Sequence, residues 1–350
     1  MTKVLTFGEI LLRLTPPGYD KFLQASRFCV SFGGSETNVA VSLSHLGMQS
    51  EFVSRLPQND IARMACMQLQ KHGVMTNNMV VGGDRLGLYY YENTSAMRAS
   101  RVIYDRAESA YATSSPADYD WDQIFERSGA DWFHWSGIGP SLSQSAADAT
   151  RAAIDSARRH GLRISADLNY RKNLWNYGRE PHEVMKPLCA ECDILFGTEV
   201  EYQKAFGIKP AVGFDMNSDT QEIEAAAHHD FARQILSLAP KCQKMFIAQR
   251  KVFHAKHHSF WAMLATSDGR FLQSDNYDIE PVVDCVGCGD AFAAGMICGV
   301  CRYPDDDSKA LAFATAAATL KNTIRGDFNL SSADEVLSLM SGNTSGRIAR

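Results

Sequence analysis

The sequence predicts an α/β chain: a doubly wound, mostly parallel sheet with helices on both faces, plus a small β-sheet lid. Three observations carry that expectation. From residue 131 onward, strand-like and helical runs alternate, as in a parallel sheet covered on both sides. Two glycine-rich turns, Gly33-Gly34 and Gly287-Cys288-Gly289, each lead straight into an apolar helical run. Two excursions, 10–34 and 85–111, are extended, and the second is polar and aromatic on both faces, unlike a core. The expected core is therefore 1–9, 35–84 and 112–341, with the lid at 10–34 and 85–111. Residues 342–350 read as a frayed tail.

Taken in order, residues 4–7 form an apolar strand broken at Gly8-Glu9, and 10–14 form a second extended run ending at Pro16-Pro17-Gly18. Phe28, Val30 and Phe32 alternate with smaller or polar residues, which predicts a half-buried strand. After Gly33-Gly34, the residues Val39, Ala40, Val41, Leu43 and Leu46 keep helical spacing up to Gly47, with Ser35 as N-cap. A strand over 51–56 precedes a helix over 59–72, stopped by Gly73. Residues 86–91 and 98–104 pair as a hairpin carrying Tyr89, Tyr90, Tyr91 and Tyr104, with Arg106 just beyond it. It suits a flap over a ligand, or an edge used for subunit contact. Strands at 131–136 and 162–167 flank a helix over 144–160. Asn169-Tyr170-Arg171-Lys172 then stands at a strand's C-terminal end, where ligands gather in open α/β sheets. A strand at 193–196 runs into a helix over 199–206, and the polar stretch 211–222 reads as a loop. A helix over 229–239, a strand over 244–248 and a hairpin from 261–266 and 271–274 follow. The run 279–283 reads as a strand entering the second glycine turn, and 309–324 as a small-residue helix packed behind it.

Composition bounds the function. At 350 residues, 45% hydrophobic and 21% charged, the chain is an ordinary globular protein that an α/β fold can hold as one domain with an appendage. A net charge of −5 argues against a nucleic-acid partner. No run of about 18 apolar residues predicts a membrane span, and the start of the chain lacks a signal-type hydrophobic region, so a cytoplasmic location is expected. Nine cysteines include three C-x-x-C pairs, Cys189/Cys192, Cys285/Cys288 and Cys298/Cys301, but no two pairs have the spacing of a zinc site. They read as reduced thiols. His228, His229, His254, His257 and His258 fit no H-E-x-x-H pattern and read as surface or wall residues. A P-loop and a dinucleotide G-x-G-x-x-G are both absent.

The stretch Asp284-Cys285-Val286-Gly287-Cys288-Gly289-Asp290 carries the chemistry. At a strand-to-helix turn, glycines admit a ligand close to the backbone, and the first-turn amides with the helix dipole favour phosphate. Asp290 adds a carboxylate, so the turn combines an anion cradle with a base, the minimum for phosphoryl transfer to an alcohol. The same residues also fit a tight turn with Asp290 as a helix cap.

The stretch resembles the second signature of the PfkB (ribokinase-like) sugar kinases, D-T-x-G-A-G-D, with cysteine at two variable places. Gly33-Gly34 with Asn38 resembles that family's first signature, G-G-x-x-x-N-x-A. The resemblance implies Asp290 as catalytic base and the amides of Gly287, Cys288 and Gly289 as anion hole. It also implies that Gly33 and Gly34 let a sugar approach the backbone while Asn38 binds its hydroxyls. The similarity is strongest to the family's 2-keto-3-deoxygluconate kinases, through Gly87-Leu88-Tyr89, Arg101 to Arg106, Asp167 to Lys172 and Lys321 to Asn329. By that resemblance Gly34, Tyr89, Tyr104, Arg106, Arg171 and Asp327 contact a sugar acid. Asn169 and Arg171 lie by the ATP phosphates, and Arg250 and Asn322 border the nucleotide. The implied ligands are ATP, Mg²⁺ and a monovalent cation such as K⁺, and the lid is implied as a homo-oligomer interface.

Arginines in the flap suit a carboxylate, which guanidinium holds through paired hydrogen bonds; Arg106 equally fits a dimer salt bridge. One departure stands out. The family's N-x-x-E metal motif is Thr198-Glu199-Val200-Glu201 here, leaving Glu201 to order metal-bound water. The expected reaction moves the γ-phosphate to the C6 hydroxyl of 2-keto-3-deoxygluconate. Fructose and 5-keto-2-deoxygluconate are alternative acceptors, and a non-catalytic sugar-acid sensor is the alternative class. Cys288, placed in the anion hole, is expected to open to solvent with it and to react with a small thiol reagent unless ATP protects it.

Overall fold

The computed structural model describes residues 2–93, 97–209 and 225–343. β1 (Lys3–Phe7) leads through Gly8-Glu9 into β2 (Leu11–Thr15) and, after a loop, β3 (Cys29–Gly33). The chain returns to the core with α1 (Ser35–His45) and β4 (Gln49–Val53), then β5 (Arg55–Leu56), α2 (Asp60–Lys71) and β6 (Val80–Val81). A second excursion supplies β7 (Leu88–Glu92) and β8 (Arg101–Asp105). Alternation follows: α3 (Trp121–Ser128), β9 (Trp132–Ser136), α4 (Ile138–Leu142), α5 (Gln144–Arg159), β10 (Arg163–Asp167), α6 (Pro181–Cys189), β11 (Ile194–Gly197) and α7 (Glu199–Phe206). After α8 (Ala225–Leu238) come β12 (Lys244–His254), β13 (His257–Thr266), β14 (Phe271–Gln273) and β15 (Tyr277–Ile279). Helices α9 (Cys288–Arg302), α10 (Asp307–Lys321) and α11 (Ala333–Met340) complete the described chain.

The main sheet runs β14-β13-β12-β11-β10-β9-β1-β4, with β15 paired to β13. From β4 to β12 all neighbours are parallel, and only β13 to β15 are antiparallel. Strands buried on both faces need cover on both, and two apolar clusters provide it. Residues of α3, α5, α6, α7 and α8 pack on one face; α1, α9, α10 and α11 pack on the other. The small residues of α9 and α10 serve this second layer. A Cβ on Gly295 would lie 2.9 Å from Ala314 Cα, and one on Gly299 would lie 2.8 Å from the Ala310 carbonyl oxygen. The lid is a separate sheet, β3-β2-β7-β8, joining the two excursions through the parallel β2–β7 pair.

Several boundaries differ from expectation for physical reasons. The run at 51–56 splits at Ser54, because β4 pairs with β1 while β5 pairs with β6 in another sheet. The strand expected at 244–248 extends to His254 and turns at once into β13, a long hairpin held by cross-strand pairing rather than by apolar content. Residues 280–283 are not a strand; β15 ends at Ile279 and a loop enters the glycine turn. Asn59, expected as the first residue of its helix, is instead the N-cap of α2, accepting from Ala62 N at 2.9 Å. The loop expected at 211–222 and most of the tail lie outside the described residues.

Candidate active site

A cleft of about 1040 Å³ separates the lid from the C-terminal ends of the parallel strands. The loops that leave those ends line it: Glu9 after β1, Ile138 after β9, Asn169 and Arg171 after β10, Thr198 and Glu201 around the start of α7. Every residue singled out for a site from the sequence borders this cleft except Gly33. Gly33 is needed for packing instead: a Cβ there would come within 2.1 Å of the Asp327 carboxylate. Gly34, at φ +155°, leaves room for the Glu9 carbonyl oxygen, 2.0 Å from where its Cβ would be.

The glycine turn is built as the phosphate-cradle reading requires. Gly287 adopts a left-handed conformation (φ +85°) as N-cap of α9, and a Cβ would strike the Asp327 carbonyl oxygen at 2.1 Å. Only glycine fits both demands. The Cys288 N–H is spent on the Cys285 carbonyl at 3.4 Å, so the turn presents the amides of Gly287, Gly289 and Asp290 rather than that of Cys288. Behind the turn, Asp284 accepts from Val286 N at 3.0 Å and Gly326 N at 3.0 Å, which fixes its shape.

Asp290 does not cap its helix. Its two oxygens accept from Ser35 Oγ at 2.8 Å and Asn38 Nδ2 at 2.7 Å, both on α1. Burial pushes its carboxyl up to about 6 against those stabilising donors and the nearby Arg171. Ser35, expected as the N-cap of α1, is instead its first residue, with Gly34 at the cap. Its hydroxyl also accepts from Asn169 Nδ2 at 2.8 Å, linking the loop after β10 to the base. Asn38 is likewise committed, since its oxygen accepts from Gly34 N at 3.3 Å. Its structural task is to hold Asp290, where the resemblance implied sugar hydroxyls.

The lid-side residues form two ion-paired knots. Arg106 donates through Nε at 2.8 Å and through Nη2 to Glu9, which also accepts from Ser109 Oγ. Its salt bridge is internal, so it is not free for a dimer contact; its Nη1 has no protein acceptor among the described residues. Asp327 accepts from Tyr89 Oη at 2.6 Å and Arg13 Nη1 at 2.6 Å, and Arg13 Nη2 reaches Asp284 at 2.9 Å. Burial raises the Tyr89 phenol well above its usual value, so it stays a donor. Burial alone would lower Arg13, but Asp327, Tyr89 and Asp284 outweigh it and carry its pKa upward, keeping the guanidinium charged. Sequence reading missed Arg13 and Glu9. Arg13 sits among leucines in Leu11–Thr15 and shares its face with buried Leu11, and a lone charge on an apolar strand face is a signal for a buried counter-charge.

Also on the lid, Tyr104 stands half open with its ring 5.7 Å from the Arg106 guanidinium, while on the other side of the cleft Arg171 and Arg250 are exposed. Asn322 is buried, its amide nitrogen donating to Ala318 O at 2.9 Å and its oxygen left without a donor. The departure at Thr198 has a structural explanation. Thr198 and Glu201 form a capping box, with Glu201 Oε2 accepting from Thr198 N at 2.7 Å while Thr198 Oγ1 accepts from Glu201 N at 3.4 Å. Glu201 Oε1 remains, 3.6 Å from Arg171 Nη1. Asp167, also missed, is buried and pushed well above the carboxylate range by burial, then by the Glu201 and Asp290 charges. Together with the unpartnered Asn169 oxygen, this crowd of oxygen donors fits a hard divalent cation, whose charge would relieve the repulsion. Cys288 is buried and burial pushes its thiol up to about 12, which argues against the rapid labelling expected of it.

Comparison with known proteins places these features in context. The profile of the pfkB family carbohydrate kinases matches residues 1–244. A 2-dehydro-3-deoxygalactonokinase of Haloferax volcanii is 29% identical over 98% of this chain and 98% of its own. A 2-dehydro-3-deoxygluconokinase of Bacillus subtilis is 26% identical over 85% of this chain and 82% of its own. The crystal structure of 2-dehydro-3-deoxygluconokinase from Thermotoga maritima superposes with a TM-score of 0.89 at 36% identity, covering 97% of this chain and 98% of that one.

Proposed function

The chain belongs to the pfkB family of carbohydrate kinases, and from that premise we propose that it transfers the γ-phosphate of ATP to the C6 hydroxyl of 2-keto-3-deoxygluconate. The observation that carries this reading is the buried Asp290, held by Ser35 and Asn38 beside an amide-presenting helix start, where lid and core meet. Two relatives matched along 97–98% of this chain bear the names 2-dehydro-3-deoxygalactonokinase and 2-dehydro-3-deoxygluconokinase.

In this mechanism the acid lies under the lid, with Tyr89, Tyr104 and the free Nη1 of Arg106 on its lid side. Asp290 takes the C6 hydroxyl proton as the oxygen forms its bond to the γ-phosphorus and the bond to ADP breaks. A carboxylate that titrates near 6 is largely ionised at neutral pH yet basic enough to accept that proton. The Gly287, Gly289 and Asp290 amides and Arg171 stabilise the charge on the transferring group. Asp167 and, through water, Glu201 would hold Mg²⁺, which supplies charge neutralisation at the phosphates. Arg250 and Asn322 border the nucleotide. Closure of the lid excludes water as a competing acceptor.

A coupled ADP-release assay over 2-keto-3-deoxygluconate, its galactonate epimer, 5-keto-2-deoxygluconate and fructose tests the acceptor. The gluconate-type acid should give the highest kcat/KM. Arg171→Met should raise KM for the acid by the equivalent of about 1.5–3 kcal/mol and lower kcat as well. A wild-type preference for fructose, or an Arg171→Met variant with its selectivity for acids intact, defeats the proposal.

A further inference from the structure

We propose that the tip of the β12–β13 hairpin and the segment leaving β15 form a binding site for a divalent transition-metal ion, best suited to zinc. His254, His257 and Glu280 each bring one ligand atom to within 4.8 Å of the others. His254 Nε2 lies 3.6 Å from Glu280 Oε1, and His257 Nδ1 lies 3.8 Å from Glu280 Oε2. Ligand atoms around a tetrahedral zinc ion sit about 3.3 Å apart, given bonds of about 2.0–2.1 Å. Small rotations of three partly exposed side chains close that gap.

The outer contacts favour an ion further. His257 Nε2 lies 2.6 Å from Asp278 Oδ1. A carboxylate on that nitrogen keeps the ring proton there and leaves Nδ1 as the donor atom toward the cluster, the carboxylate–histidine–metal arrangement. The ammonium of Lys256, in the same turn, is committed to the Val283 carbonyl at 3.3 Å and lies 5.5 Å from the Tyr19 ring, and that of Lys251 lies 5.2 Å from the Phe253 ring. One contact must give way. Ligation through Nε2 puts the His254 proton on Nδ1, which now accepts from Lys256 N at 3.2 Å in the exposed turn.

Two imidazoles and one carboxylate leave a fourth position for water. This donor set matches zinc and disfavours magnesium, which prefers oxygen alone. None of the three ligands lines the catalytic cleft. The two histidines flank the hairpin turn, while Glu280 stands four residues before Asp284. A bound ion would therefore tie the hairpin tip to the loop that enters the phosphate turn. Sequence spacing alone hides the site, because H-x-x-H gains its third ligand from 23 residues downstream only when β15 pairs with β13.

The test uses full-length, tag-free protein freed of metal with a chelator and titrated with Co²⁺ in excess Mg²⁺. One equivalent should bind with the visible absorption of a tetrahedral ion and no thiolate charge-transfer band, and Zn²⁺ should displace it. The His254→Gln/His257→Gln variant should lose that equivalent while melting like the metal-free wild type. Asp278→Asn should keep the site with affinity weakened by about 10–100-fold. An unchanged spectrum and stoichiometry in the double variant, a thiolate band, or no binding in excess Mg²⁺ would each overturn the proposal.

Discussion

Asp290 occupies a place where an ionised carboxylate is costly. Its folded value of about 6 against an ordinary 3.8 means that the fold prefers the protonated acid. The penalty is absent below the unfolded value, grows as pH rises and is complete above about 6, where it amounts to roughly 3 kcal/mol. Asp290→Asn should therefore raise the melting temperature at neutral pH, with the gain shrinking toward about pH 5, while kcat falls by about 10²–10⁴-fold. Ser35 can turn its hydroxyl to donate or accept, so the amide fits the same pocket. In the wild type, kcat/KM should drop roughly tenfold per pH unit below about 6. Thermal melts and a pH–rate profile check both. Near-normal turnover in the variant would remove Asp290 from the chemistry and return it to a structural role.

At the scale of elements, Arg13 joins three pieces that are far apart in the chain: lid strand β2, the phosphate turn through Asp284, and the loop after α10 through Asp327. The group is fully enclosed, and Tyr91 lies 4.2 Å under the guanidinium. Arg13→Met would leave two carboxylates buried without their counter-charge, at a cost of about 3–5 kcal/mol. Arg13→Lys keeps the charge but cannot fork between both acids, so it should fall between Met and wild type. Chemical denaturation ranks the three proteins, and a Met variant as stable as wild type would show that the triad does not hold the lid root.

For the molecule as a whole, the lid's outer face is where we expect copies to meet. Pairing places Val30, Leu14, Tyr90 and Ile103 in one row across its four strands, with Val30 at 53% and Ile103 at 46% exposure. The opposite face carries Tyr89 and Tyr91 into the cleft wall, with Arg13 buried beside them. An apolar row open to water on a sheet is the kind of surface that two copies cover, so we expect a homodimer through the lid. Ile103→Glu should yield monomers in sedimentation velocity. A wild-type protein that sediments as a monomer at assay concentrations rules this arrangement out.

Much of this was legible in the sequence, because local rules and tertiary demands agree there. Strand–helix alternation, the glycine turns and the small residues of α9 and α10 report backbone geometry and close packing, which a chain must encode locally. The order of the two signatures likewise placed Asp290, Asn38 and the loop after β10 at one cleft. What the sequence could not specify is which partner a charged side chain finds. Arg106 reads as a free carboxylate clamp until folding sets it against Glu9, 97 positions away. Ser35 reads as a cap until α1 and α9 bring it to Asp290, and the pairing of Asp327 with Arg13 and Tyr89 cannot be read from their positions in the chain. Long-range pairing depends on three-dimensional distance, to which spacing along the chain gives no access; the tertiary structure alone decides it.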